Sequence, residues 1–133
     1  MMLRLLKLRR NERGMSAVEF ALVAPAFCTF IIAIAQFGIL FFAQSGLKSA
    51  VAEGARYANI YPRPSNELIL ARITERRFGM DPAKIIAPTI TPGTSGGRSY
   101  LDIEMKYDAQ MNFIFFTWSD LRLTEKRRVF VYT

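Results

Sequence analysis

Between Glu19 and Lys48 the chain carries no charged residue, and the 28 positions from 20 to 47 are dominated by Phe, Ile, Leu, Val and Ala. As an α-helix this run rises roughly 1.5 Å per residue, about 42 Å in all. That covers the roughly 30 Å hydrocarbon core of a bilayer with a turn or two to spare. A transmembrane helix is the reading this feature imposes. Its first rival is a cleaved secretory signal, since "SAVA" at 49–52 has the small-x-small pattern of a cleavage site and the preceding leader is basic. Such signals carry an apolar region of only about 7–15 residues, and this run is near twice that.

Lysine and arginine counts near the ends of the span give its orientation. Arg4, Lys7, Arg9, Arg10 and Arg13 lie ahead of it, whereas only Lys48, Arg56 and Arg63 lie close behind. The N-terminus is therefore expected in the cytoplasm, with residues from about 48 onward outside. The net charge of +7 invites a nucleic-acid partner, but the leader through Gly14 supplies +4 of it. The rest is too dilute for an electrostatic footprint, so no nucleic acid is expected. Lys126, Arg127 and Arg128 read as a solvated edge. Cys28, the single cysteine, lies inside the span and excludes an intramolecular disulfide. The chain has no histidine, the commonest general base and metal ligand.

Past the span the helix is expected to continue to about residue 58. Gly46, Ala50, Gly54 and Ala58 recur every four residues and form a ridge of small side chains, which lets another helix approach closely. "YPRP" at 61–64 stops the helix. Ser65 or Asn66 caps a second, short helix that runs to about Phe78 and closes at Gly79, with Leu68, Ile69, Ala71, Ile73 and Phe78 suited to packing on a sheet. "DPAK" at 81–84 reads as a turn, 85–91 as a brief strand and "TPGTSGG" at 91–97 as a flexible loop. Leu101, Ile103, Met105 and Tyr107 then alternate with Asp102, Glu104, Lys106 and Asp108, the pattern of a half-buried strand. "MNFIFFTW" at 111–118 reads as a connection packing on the domain or the membrane surface. Two short strands, Leu121–Leu123 and Val129–Tyr132, close the chain. The fold class is α+β: a long N-terminal transmembrane helix, then a small domain with a short helix and a few-stranded antiparallel sheet. A core of about 70 residues is marginal alone, so support from the long helix or a neighbour is expected.

Nothing in this pattern points to an enzyme, a cofactor, a metal or a small-molecule substrate. Asp102, Glu104 and Asp108 alternate with Lys106 on the polar face of a strand, where carboxylates solubilise. "PGTSGGRS" lacks the G-K-[ST] ending of a phosphate-binding loop.

Glu19 stands apart. A carboxylate at the centre of a membrane helix costs on the order of 2.5–3.5 kcal/mol, less near an interface. Among headgroups it would cost little. If the chain were cut after Gly14, the α-amine of Met15 in one subunit could meet Glu19 of the next and neutralise both charges.

A basic leader, Gly14, four residues, Glu19, Phe20 and a long apolar helix resemble the class III signal of type IV pilins and pseudopilins. More narrowly, "RRNERGMSAVEFALVAPAF" followed by "AEGARYA" at 52–58 is similar to the TadE-like family of the Tad (Flp) pilus system. The likeness covers residues 9 to about 60. It implies a minor pilin-like component whose leader, residues 1–14, is removed by the prepilin peptidase, leaving Met15 first. Glu19 and Phe20 would serve processing or assembly, and Pro25 would be the intramembrane proline that locally opens the helix. Glu53 and Arg56 match the family's second motif and sit three apart, where they form a weak ion pair. The implied partners are the prepilin peptidase, other pilins or pseudopilins, the Tad inner-membrane assembly platform and membrane lipid. The implied placement is a bacterial inner membrane, with residues 15–60 as transmembrane and extended helix and 61–133 as a periplasmic domain. The alternative is a plain signal-anchored membrane protein that presents a small binding or scaffold domain without processing.

Overall fold

A single helix, α1 (Glu12–Ala58), contains the whole uncharged run and continues beyond it. The computed structural model describes residues 12–132; Arg4, Lys7, Arg9 and Arg10 of the expected leader lie outside the described residues. At 1.5 Å per residue α1 is about 70 Å long, so it outruns any bilayer. Its two parts have different surroundings. From Gly14 to Ile39 no residue is buried, whereas Ala43, Leu47, Ala50, Val51, Ala55 and Ala58 all are. The helix ends where the Asn59 and Ile60 N–H groups bond back to the carbonyls of Arg56 and Tyr57, just ahead of Pro62 and Pro64.

The second helix, α2 (Asn66–Glu75), starts at Ser65, whose Oγ accepts from the Leu68 N–H at 3.3 Å. It stops three residues short of the expected Phe78. The chain leaves the helix at Arg76 so that Phe78 can lie on α1, with its ring 5.5 Å from that of Phe42. Gly79, at φ 69°, then turns the chain toward a single 3-10 turn at Pro82–Lys84.

Three strands follow: β1 (Ile85–Ser95), β2 (Arg98–Asn112) and β3 (Thr117–Phe130), antiparallel in the order β1-β2-β3. Three expectations are corrected here. Residues 91–95 are not a flexible loop but the second half of β1, and only Gly96 and Gly97 turn. Both have positive φ (58° and 74°), the signature of a two-residue hairpin whose twist matches the strands it joins. Residues 117–130 form one strand and not two short runs, because Thr124–Arg128 pair residue by residue with Asp102–Lys106 of β2. The connection expected at 111–118 shrinks to the four residues between Asn112 and Thr117, which pair with each other.

The result is an α+β unit of two layers. The root of α1 lies on β2 and β3, and α2 lies beside it toward β1. Leu101, Ile103, Met105, Tyr107 and Ala109 of β2 face the helices together with Val129 and Val131, and Ile69 and Ile73 of α2 close the core. The alternation of β2 thus sets the buried face.

Candidate functional site

The residues singled out from the sequence divide between the projecting part of α1 and its root. Gly14, Met15, Glu19 and Phe20 are all exposed on its first turns. A Cβ placed on Gly14 would meet nothing within 4 Å, so no packing in the folded chain requires glycine there. Met15 and Glu19 are four apart and share one helix face. Pro25 lies inside the helix, which runs on through it. Proline has no N–H to offer the carbonyl of Ala21 one turn back. One turn on, the Thr29 hydroxyl donates to the Pro25 carbonyl at 2.8 Å.

The ridge of small residues lies at the root and faces the chain's own domain. A Cβ on Gly46 would collide with the backbone carbonyl of Phe78, and one on Gly54 would run into the Ile73 side chain of α2. Ala50 and Ala58 are fully or nearly fully buried in the same core. Small side chains here let α2 and the segment after it come close to the α1 backbone.

Beside the ridge, Glu53 and Arg56 acquire a role that spacing alone did not suggest. The Arg56 guanidinium donates to both Glu53 oxygens, at 2.9 and 3.0 Å. Arg72 of α2 reaches the same carboxylate at 3.3 Å and also bonds Glu75 at 3.0 Å. Its guanidinium carbon lies 5.9 Å from the centre of the Tyr57 ring, within cation–π range. Glu53 is therefore the tie between the two helices, with Arg56 holding it in place and Gly54 making room for α2. Arg72 was absent from the sequence reading because it lies 19 residues away, and only the helix packing brings it there.

The outer face of the sheet carries a row of ion pairs, which run between β2 and β3 apart from Lys106–Glu104 within β2. Arg128 grips Asp102 through Nε and Nη2 at 2.7 and 2.9 Å, while Lys126 adds a contact at 3.1 Å. Farther along, Arg122 grips Asp108 at 2.7 Å and Lys106 meets Glu104 at 2.6 Å. Arg128 also lies 3.9 Å over the ring of Tyr100. Its hydrogen bonds, with those of Lys126, hold the Asp102 carboxyl down at about 2 despite the opposing effect of partial burial. Lys126 and Arg128 of that cluster thus share the one Asp102 carboxylate within the sheet.

Among the described residues one helix is long and apolar enough to cross a bilayer; bare over its first half and rooted in a small sheet domain, it fits the class of single-pass membrane proteins. The family model described as TadE-like protein matches residues 14–56, from Gly14 of the projecting helix to Arg56 of the tie. The match supports the TadE-like family of the Tad pilus system; it covers less than half of the chain and does not extend over the sheet domain. Searches of curated proteins and of solved structures gave no match.

Proposed function

We propose that the protein is a minor pilin-like (pseudopilin) component of Tad (Flp) pilus assembly, cut after Gly14 by the prepilin peptidase and assembled through the projecting part of α1. It sits in a bacterial inner membrane with its N-terminus cytoplasmic and its sheet domain periplasmic. The observation that carries this reading is the bare helix from Gly14 to Ile39, with the Gly14-to-Glu19 spacing at its far end. A soluble domain would not leave such a length of apolar helix uncovered. The TadE-like match begins at Gly14 itself, and that family is pilus-associated and structural, not catalytic. Other pilins and the Tad assembly machinery are accordingly the expected partners.

The chemistry is association, not bond-making beyond the cut. After cleavage the Met15 amine stands one helical turn from Glu19, about 6 Å along the axis. In a low-dielectric array the amine of one subunit neutralises Glu19 of its neighbour, which removes the cost of an unpaired carboxylate in lipid. That pairing favours helices that assemble over helices that remain alone.

Two measurements test it. The intact mass and N-terminus of the protein from its native membrane should correspond to a chain that starts at Met15. Because Gly14 has open space around it, Gly14→Leu leaves the fold undisturbed and should leave the leader uncut. Normal processing of that variant counts heavily against the proposal. Glu19→Ala should mature but fail to enter the assembly; unchanged incorporation would favour the plain signal anchor.

A further inference from the structure

The turn between β2 and β3 is the most apolar exposed feature outside α1. From Ala109 to Ser119 the chain carries no charge, and Phe113, Ile114, Phe115 and Phe116 form the tip. Ile114, Phe115, Phe116 and Trp118 are 49, 73, 58 and 50% exposed, an unfavourable arrangement in water. Yet the tip is a built structure. The Phe113 N–H donates to the Phe116 carbonyl at 2.8 Å, and the two rings stack with centroids 4.6 Å apart. Asn112 braces the base, its side-chain oxygen accepting from Thr117 Oγ1 and Gln110 Nε2 at 3.2 Å each.

The position of the tip identifies its occupant. The Asn112 N–H donates to Gln36 Oε1 at 3.3 Å, which ties the hairpin to α1. Gln36 is the one polar amide in the stretch 14–39, and it stands just before the helix enters the folded domain, where Leu40 and Ala43 pack. β2 runs from the core toward Gln36, so the turn beyond Asn112 continues toward the bare half of the helix. From Met15 to Gln36 the helix rises about 32 Å, against a hydrocarbon core of about 30 Å. With Met15 at one boundary, Gln36 and the aromatic tip come to the other. Tryptophan and other rings with an apolar body settle at that depth. The charged pairs Asp108–Arg122 and Asp102–Arg128 lie farther along the same hairpin, on the water side.

We propose that the β2–β3 turn is a second membrane contact: Ile114, Phe115, Phe116 and Trp118 insert into the outer boundary of the same bilayer that α1 spans. The domain is then held at two points, which fixes its height and its rotation about the helix axis. The inference does not rest on the pilin reading, since a plain anchored domain would use the contact equally.

Trp118 is the only tryptophan and serves as a built-in reporter. The full chain is reconstituted in phosphatidylcholine vesicles that carry bromine at shallow or deep acyl positions, and its emission is followed with each lipid and with aqueous iodide. The expected result is blue-shifted emission, strong quenching by shallow bromine, weaker quenching by deep bromine and protection from iodide. Quenching by iodide and not by brominated lipid overturns the proposal. Protection from both also overturns it, and points instead to a contact between copies of the chain. Phe115→Asp alters the most exposed ring of the tip and should abolish the lipid quenching with the circular dichroism unchanged. Persistence of the quenching in that variant would mean that the span alone sets the depth, against the proposal. Should that variant fail to fold, the wild-type contrast between brominated lipid and iodide still overturns the proposal if iodide reaches Trp118.

Discussion

At the residue scale, the glycines separate two kinds of demand. Gly46 and Gly54 are required by what stands against them, a backbone carbonyl in one case and a buried isoleucine in the other. Gly14 and Gly38 have open space around them. Gly46→Ala should therefore destabilise the domain by about 1–3 kcal/mol, the usual cost of overpacking where the neighbour is backbone and cannot rotate away. Gly38→Ala should stay within about 0.5 kcal/mol. Denaturant unfolding of both variants in detergent micelles checks the contrast. The sequence showed the four-residue recurrence of small side chains but not its partner. A ridge at this spacing serves a neighbouring chain or the same chain equally well, and the choice depends on where α2 folds back.

At the element scale, β2 was legible from its alternation because burial of one face is a local pattern along the chain. The two strands beside it were legible only in pieces, and their full extent was not. β1 was expected to stop at 91, because Pro92 and Gly93 read as loop, and it also contains Pro88. An edge strand tolerates prolines, Pro88 lies where the register shifts, and Gly93 makes room for the Tyr100 ring opposite. In β3 the run Thr124–Arg128 has no apolar alternation, and its strand conformation comes from pairing with β2. The ion pairs across that seam predict an acid response. Asp102 titrates at about 2 when folded, against an ordinary value of 3.8. A carboxyl with a lowered folded pKa contributes stability that is fully present above the unfolded value and is lost as the pH falls through the folded one. Stability should therefore decline as the pH is lowered from about 4 toward 2, and Asp102→Asn should flatten that part of the curve. Unfolding midpoints measured between pH 2 and pH 5 provide the test.

At the scale of the whole molecule, α1 is one helix with two employments, and the boundary lies near Leu40. N-terminal to it the helix touches little of the domain except Asn112 through Gln36. C-terminal to it the helix supplies Ala43, Leu47, Ala50 and Val51 to the core. A truncated chain that begins at Leu40 should accordingly fold, with native circular dichroism and dispersed amide resonances. One that begins at Ala52 should not, since it lacks Leu47, Ala50 and Val51 beneath a sheet too small to stand alone. The exposed domain expected from the sequence is thus completed by the root of the membrane helix.

What the sequence determined by itself is the span, the end of α1 near Ala58, a cap at Ser65 or Asn66 and the buried face of β2. Each of these is a local sum or a local period, so residues adjacent in the chain are enough to establish it. The tertiary structure alone decided that Glu53 ties α1 to α2 through Arg72, that 117–130 is one strand, and that Asn112, at the base of the β2–β3 turn, reaches back to Gln36. The Glu53–Arg72 and Gln36–Asn112 contacts join residues 19 and 76 positions apart. Whether such groups meet depends on the closure of the whole chain around its core, and no single segment carries that information.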